Sequence, residues 1–348
     1  MKSKGKNAVI ELMRFIFASA VVVFHAQLDL WKGGREITRI AGHRLMLFRN
    51  GYIGVEFFFI VSGYLMAKSI YKAGKNGYAK DPGKETTLFV WRKMKALLPY
   101  YIPVCIIMAL ISILRKGEVS YVIVRLPSLF FLQNTAAFPN SFIGATWYIS
   151  SMLIAMTFLY PLCRKYYRTY TLLIAPLAAV IIIGALIHNT GNLGGGPKWL
   201  LITYKANLRA FAELGAGAFC HEMGRRIEKR EFNTSGRVIL SLTAFVCYAA
   251  AIMYIFSDCD RIYSGYCFYL LCTAVTITFS NKGIAGSAEA AGNRFLLYLG
   301  EISLPLYLCQ NINRTMVPIL FGSFSKEFQV LFIYTGTLIM AVILNTAV

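Results

Sequence analysis

The stretch AVIELMRFIFASAVVVFHA, residues 8–26, sets the fold class. The apolar run continues to about residue 31, long enough to cross a hydrocarbon core of ~30 Å. Two polar residues interrupt it, Arg14 and His25. At 100° per residue their spacing leaves them about 20° from one common face and ~16 Å apart along the axis. An arginine inside a span is expensive and normally faces protein or a wet cavity. A histidine on the same stripe at another depth marks a polar route through the bilayer.

Beyond this stretch, the chain has 348 residues and is 57% hydrophobic. Ten spans are expected, at about 8–31, 51–70, 96–114, 143–162, 171–188, 199–220, 236–257, 264–281, 295–313 and 328–347. The class is all-α polytopic membrane protein. Barrel strands would show alternating segments near ten residues, which are absent. The first run is too long for a cleaved signal and lacks a small-residue cleavage site. A single integral-membrane domain over residues 1–348 is expected, with no fused soluble domain and no internal repeat.

Net charge is +20, from 36 basic and 16 acidic residues. No soluble segment is long enough for a nucleic-acid-binding domain, so none is expected to bind nucleic acid. The charge reads instead as topology, because basic residues collect in cytoplasmic loops. With the N-terminus inside, inner segments carry 20 basic residues, Lys2, Lys4, Lys75 and Lys80 among them, against 12 outside. That bias predicts N-in, C-in. The first outer loop is the exception, with Lys32, Arg35, Arg39, Arg44 and Arg49. The eight cysteines form no CxxC and no zinc spacing, so no metal is expected. Cys259 and Cys267 flank one outer loop and are candidates to pair.

This orientation puts Arg14 in the inner third of the first span and His25 in the outer third. A neutral histidine in a partly apolar cleft can act as general base near pH 7. Glu56, at similar outer depth, can orient it; Asp29, at i+4, is a second candidate. The alternative for His25 is a helix–helix hydrogen bond. Arg14 can bind a phosphate, a pantetheine carbonyl or an oxyanion, or else pair with Glu11. Arg92, Lys93 and Lys95 precede the third span and can grip the phosphates of a cytosolic cofactor, or serve as membrane-surface charge. Lys205, Arg209 and Glu213 form an i,i+4 stripe, in which Glu213 can simply neutralise Arg209.

These residues fall into blocks that resemble the membrane acyltransferase 3 family. Arg14 and His25 match its R-x10-H signature. GVEFFFIVSGYLMAKS at 54–69 resembles its second-span block, and FVWRKMKALLPYY at 89–101 its basic entry to the third span. ATWYISSMLIAMTFLYPL at 145–162 and LGEISLPLYLCQNI at 299–312 resemble two later spans. The five blocks cover most of the chain in order. Two departures stand out. Gln310 occupies a position where the family often has His, and Ala96 one where many members have Arg, with Lys95 adjacent.

The resemblance implies an O-acyltransferase of the bacterial cytoplasmic membrane. It would move an acyl group, commonly acetyl from acetyl-CoA, to a hydroxyl of an extracytoplasmic, cell-envelope glycan. In that reading His25 is the base, oriented by Glu56. Arg14, Arg92, Lys93 and Lys95 hold the acyl-CoA. Trp147, Tyr148, Gln310 and Asn313 contact the acceptor. Its partners are then acyl-CoA, the glycan and the lipid bilayer. A proton-coupled transporter or exporter is the alternative from another class, because buried His, Glu and Arg also form relays.

Overall fold

The computed structural model describes residues 6–32, 34–40, 42–74, 81–117, 119–200, 202–283 and 293–348. Lys2, Lys4, Lys75 and Lys80 lie outside the described residues. The Asn7 side chain accepts from the backbone N–H groups of Val9 and Ile10 and so starts α1, Ala8–Trp31. Lys32, with φ 53°, ends it in a left-handed cap. Nine further long helices follow among the described residues. They are α2 (Gly54–Gly74), α3 (Pro82–Lys116), α4 (Trp147–Lys165), α5 (Ala175–Thr190), α6 (Lys205–Glu228), α7 (Thr234–Phe256), α8 (Ser264–Ser280), α9 (Arg294–Leu320) and α10 (Lys326–Ala347). Among the described residues, strand structure is confined to two short ribbons, β1–β2 (Glu36–Ile40, His43–Met46) and β3–β4 (Trp199–Leu200, Thr203–Tyr204). The protein is an all-α polytopic membrane protein.

Eight of the ten long helical segments are long and apolar enough to cross a membrane; α6 and α9 are not. Both are too polar because they face protein instead of lipid. Helix α6 packs against α2, α4, α5 and α8. It buries Lys205, Asn207, Arg209 and Glu213. Helix α9 lies along α1, α3 and α10 and buries Gln310. By contrast α7 and α10 leave large apolar side chains such as Phe245, Met253, Ile339 and Ile343 exposed, as lipid-facing helices do.

Two boundaries differ from the expected spans. Helix α3 starts at Pro82, after an Asp81 N-cap, and runs 35 residues through Pro99 and Pro103. Arg92, Lys93 and Lys95 therefore sit within the helix instead of ahead of it. Helix α6 starts at Lys205, because Trp199–Leu200 and Thr203–Tyr204 ahead of it pair as the β3–β4 ribbon. Ahead of α5 the chain makes a turn of π-helix over Tyr170–Ile174, ending two residues before Pro176. Proline removes a backbone donor and crowds the preceding turn, and the wider turn accommodates it.

The cationic loop after α1 is also explained. The β1–β2 hairpin bridges to the α7–α8 connection through Leu45 and Ser257. Its arginines pair with nearby carboxylates: Arg35 with Glu327 at 3.1 Å, Arg39 with Glu36 at 2.9 Å, and Arg49 with Asp258. Cys259 is exposed and Cys267 is buried in α8, and both thiols are free, so the expected pairing is not formed.

The bundle closes most tightly where α2 crosses α6. A Cβ on Gly63 would overlap the Leu214 backbone, and one on Gly217 would overlap the Ile60 carbonyl. Small residues allow such backbone approach between membrane helices. Gly63→Val should force the helices apart and cost about 3 kcal/mol. Gly184→Val, at a glycine with open space around it, is the control. Thermal unfolding in detergent should show a lowered midpoint for the first variant only.

Candidate active site

Site geometry begins with α1 and α9, which run in the same direction. Gly300 meets Glu11 at one end, and at the other His25 meets Gln310 and Asp29 meets Arg314. His25 Nδ1 lies 2.8 Å from Gln310 Oε1. The Gln310 Nε2 group donates to the Tyr307 carbonyl at 2.7 Å. That second bond fixes the amide, because reversing it would set oxygen against oxygen. Oε1 is therefore the acceptor, His25 Nδ1 carries the proton, and Nε2 keeps its lone pair. Nε2 has no hydrogen-bond partner among the described residues. Arg314 forks onto Asp29 at 2.7 and 2.9 Å, one turn beyond.

At 100° per residue Tyr307, Gln310, Asn311 and Arg314 fall within an arc of about 100°. Tyr307, Asn311 and Arg314 line a cavity of about 530 Å³ that His25 also lines. The Tyr307 hydroxyl donates to the Ala145 carbonyl and holds the start of α4 against α9. Opposite stands the Gly194–Gly195–Gly196–Pro197 loop. Lys205 Nζ tethers it, donating to Thr190 Oγ1 at 2.7 Å and to the Asn192 and Gly194 carbonyls at 2.6 Å each. Gly196 lies against the six-membered ring of Trp147, where a Cβ would come within 2.8 Å.

The cavity floor is Arg209, which is 1% exposed. It meets Glu56 on α2 at 2.8 Å and Glu213 on its own helix at 2.9 Å, with its guanidinium 5.4 Å from the centre of the Trp147 ring. Both carboxylates are fully buried. Removing one partner of such a pair leaves an uncompensated charge, which costs about 3–5 kcal/mol.

Arg14 lies at the other end of α1. Its guanidinium meets Glu11 at 3.0 Å and is about a third exposed (32%). The missing side chain of Gly300 gives Glu11 its room. Lys93 is within electrostatic range of Arg14, and so is the Tyr148 hydroxyl. That hydroxyl lies 3.3 Å from Ser62 Oγ and is within electrostatic range of Glu213. Polar groups thus link the Arg14 end to the cavity floor.

Several expected pairings are redrawn. Glu56 does not orient His25; Arg209 takes it, and Gln310 takes the histidine. Lys93 and Lys95 stand about 200° apart on one helix. Lys93 turns toward Arg14, whereas Lys95 lies over the exposed Trp91 ring at 5.3 Å and Arg92 is exposed. Trp147 lines the cavity, but Tyr148, one residue on, turns into the bundle against Phe59. Asn313 faces α10, donating to Met340 Sδ at 3.2 Å; Asn311 lines the cavity in its place.

Comparison with protein families matches this chain over residues 7–348 to Acyl_transf_3, described as an acyltransferase domain. The chain belongs to this acyltransferase family. Comparison with curated proteins and with solved structures gave no match. In this acyltransferase the sequence reading missed three cavity features: the tethered glycine loop, Arg261 and Arg314. The Gly-Gly-Gly run beside a span end was the available signal for the first.

The His25–Gln310 bond yields a direct test. Gln310→Met keeps the side-chain length and removes both hydrogen bonds. It should lower kcat about 10²-fold, the lower bound for general acid–base catalysis, with KM for the donor unchanged. Nitrogen NMR of histidine-labelled enzyme, assigned by subtraction of His25→Ala, should show the Nδ1–H form in wild type and a tautomer mixture in the variant.

Proposed function

We propose that this acyltransferase moves an acyl group, most simply acetyl, from cytosolic acyl-CoA to a hydroxyl of an extracytoplasmic glycan, across the bacterial cytoplasmic membrane. The observation that carries this reading is the division of α1. Its Arg14 end gathers cations suited to an anionic donor, and its His25 end opens into a cavity of about 530 Å³ that His25 lines, its Nε2 without a hydrogen-bond partner among the described residues. An N-in orientation with ten spans puts the first end toward the cytosol and the second outside. The parallel run of α1 and α9 supports that alternation, since odd-numbered spans share a direction.

In this mechanism Arg14 and Lys93 hold the polar part of acyl-CoA, and its arm follows the polar groups near Tyr148 and Ser62. The thioester carbonyl meets the acceptor at the cavity. His25 Nε2 takes the proton from the acceptor hydroxyl as its oxygen attacks the carbonyl carbon. The C–S bond then breaks, and the departing thiolate takes the proton back from His25. The new C–O bond completes the ester, and the histidine returns to its starting form. Gln310 fills the position next to His25 as a fixed acceptor for Nδ1–H, which suits a single-base mechanism. Trp147 and Asn311 furnish the cavity wall an acceptor sugar would meet.

Proteoliposomes loaded with labelled acetyl-CoA and presented with glycan outside test the reading. Label should appear on the external glycan. His25→Ala should lower transfer by about 10²–10⁴-fold without loss of assembly. Arg14→Ala should raise KM for the donor about 10- to 100-fold, the value of a charge-assisted hydrogen bond. Solute crossing without acyl transfer would favour the transporter instead.

A further inference from the structure

Three guanidinium groups line the cavity that contains His25: Arg209, Arg261 and Arg314. Two are neutralised. Arg209 lies between Glu56 and Glu213, with the charge of Lys205 close enough to act on both carboxylates. Formally that buried quartet sums to zero. Arg314 is forked onto Asp29. Arg261 makes no ion pair with any described carboxylate, and its guanidinium stands 5.9 Å from the centre of the Tyr52 ring. The acids nearest in sequence do not reach it. Asp258 is taken by Arg49, and Asp260 is exposed without an ion pair among the described residues.

The surrounding cap makes this arrangement selective. Arg35, Arg39, Arg44 and Arg49 of the neighbouring loop all find carboxylates. Arg261, backed by an aromatic face, keeps its planar fork for something else. Such a fork matches the two oxygens of a carboxylate or phosphate.

We propose that Arg261 binds an anionic group of the acceptor, a carboxylate or a phosphate carried by the glycan near the hydroxyl that is acylated. This rests on the reading that the acceptor occupies the His25 cavity. The enzyme is then selective for acidic over neutral glycans, and Arg261 is the residue that discriminates. The acylated ester forms next to a fixed negative charge on the same sugar or its neighbour.

The test is binding to the purified full chain in nanodiscs of zwitterionic lipid. Three probes are compared: a glucuronate oligosaccharide, its carboxyl-reduced glucose counterpart, and the glucose oligosaccharide bearing a phosphomonoester. An anionic probe should bind about 10- to 100-fold more tightly than the neutral one, and the carboxylate and phosphate arms identify which anion fits. Arg261→Gln should erase the difference while leaving neutral binding unchanged. Arg261→Lys, which keeps charge without the fork, should retain part of it. Equal binding of all three probes by wild type, no binding of any, or an undiminished preference in Arg261→Gln overturns the proposal. Loss of discrimination on introducing anionic lipid assigns the guanidinium to a headgroup and also overturns it. Acyl transfer is measured in parallel on the wild-type enzyme, and failed transfer with intact discrimination would sink the acyl-transfer reading alone.

Discussion

A buried arginine between two buried glutamates organises this protein. Arg209 cannot be left alone in a membrane bundle, because an unpaired charge there is several kcal/mol more costly than a paired one. Glu213 answers it from the same helix and Glu56 from α2. The pair across helices fixes the rotation of α2 against α6, and the glycine crossing at Gly63 and Gly217 fixes their separation. One turn before Arg209, Lys205 reaches out to three oxygens of the 190–194 segment and shapes the loop beside Trp147. The stripe that holds the bundle together is thus also the floor and one wall of the cavity.

Helix α1 is positioned by different means at its two ends, and α9 supplies both. Gly300 removes a side chain so that the Glu11–Arg14 pair can fit. Gln310 provides an amide whose orientation is set by its own helix, at the Tyr307 carbonyl. The first device is steric and the second is a hydrogen bond with a defined direction. A histidine held this way is restricted in both ring orientation and tautomer, which is what a single general base needs. A second histidine at position 310 could adopt either tautomer itself; an amide locked by a backbone carbonyl cannot.

Much of this is legible in the sequence, within a clear limit. Helical periodicity assigns a residue to a face, so the Arg14–His25 stripe and the Lys205–Arg209–Glu213 stripe both follow from spacing alone. Periodicity does not say which helix that face meets. Glu56 stands beside the middle of α1, where Phe57 stacks on Phe17, about two turns from His25. Arg92, Lys93 and Lys95 form a cluster in sequence, yet Lys93 points away from the exposed face that Arg92 and Lys95 share, because one helix cannot turn three near-consecutive residues to one ligand. Asn313 is about 60° beyond Gln310 on α9, which carries it out of the cavity and onto α10. The polar character that made α6 and α9 the weakest spans by hydropathy marked the helices that build the site.

Structural and functional charge separate by the same reasoning. A basic residue in or beside a membrane bundle has three possible ends: a carboxylate, a headgroup or a ligand. The first is used at Arg35, Arg39, Arg44 and Arg49 of the loop after α1 and at Arg209 and Arg314 in the cavity. Matching those pairs turns an excess of positive charge, uninformative as a total, into a short list with a remainder. Among the described guanidinium groups that line the cavity, that remainder is Arg261, in the wall that also holds His25. A cation placed there and kept free of carboxylates contributes nothing to the bundle that another residue could not, so its use is best sought in what enters the cavity.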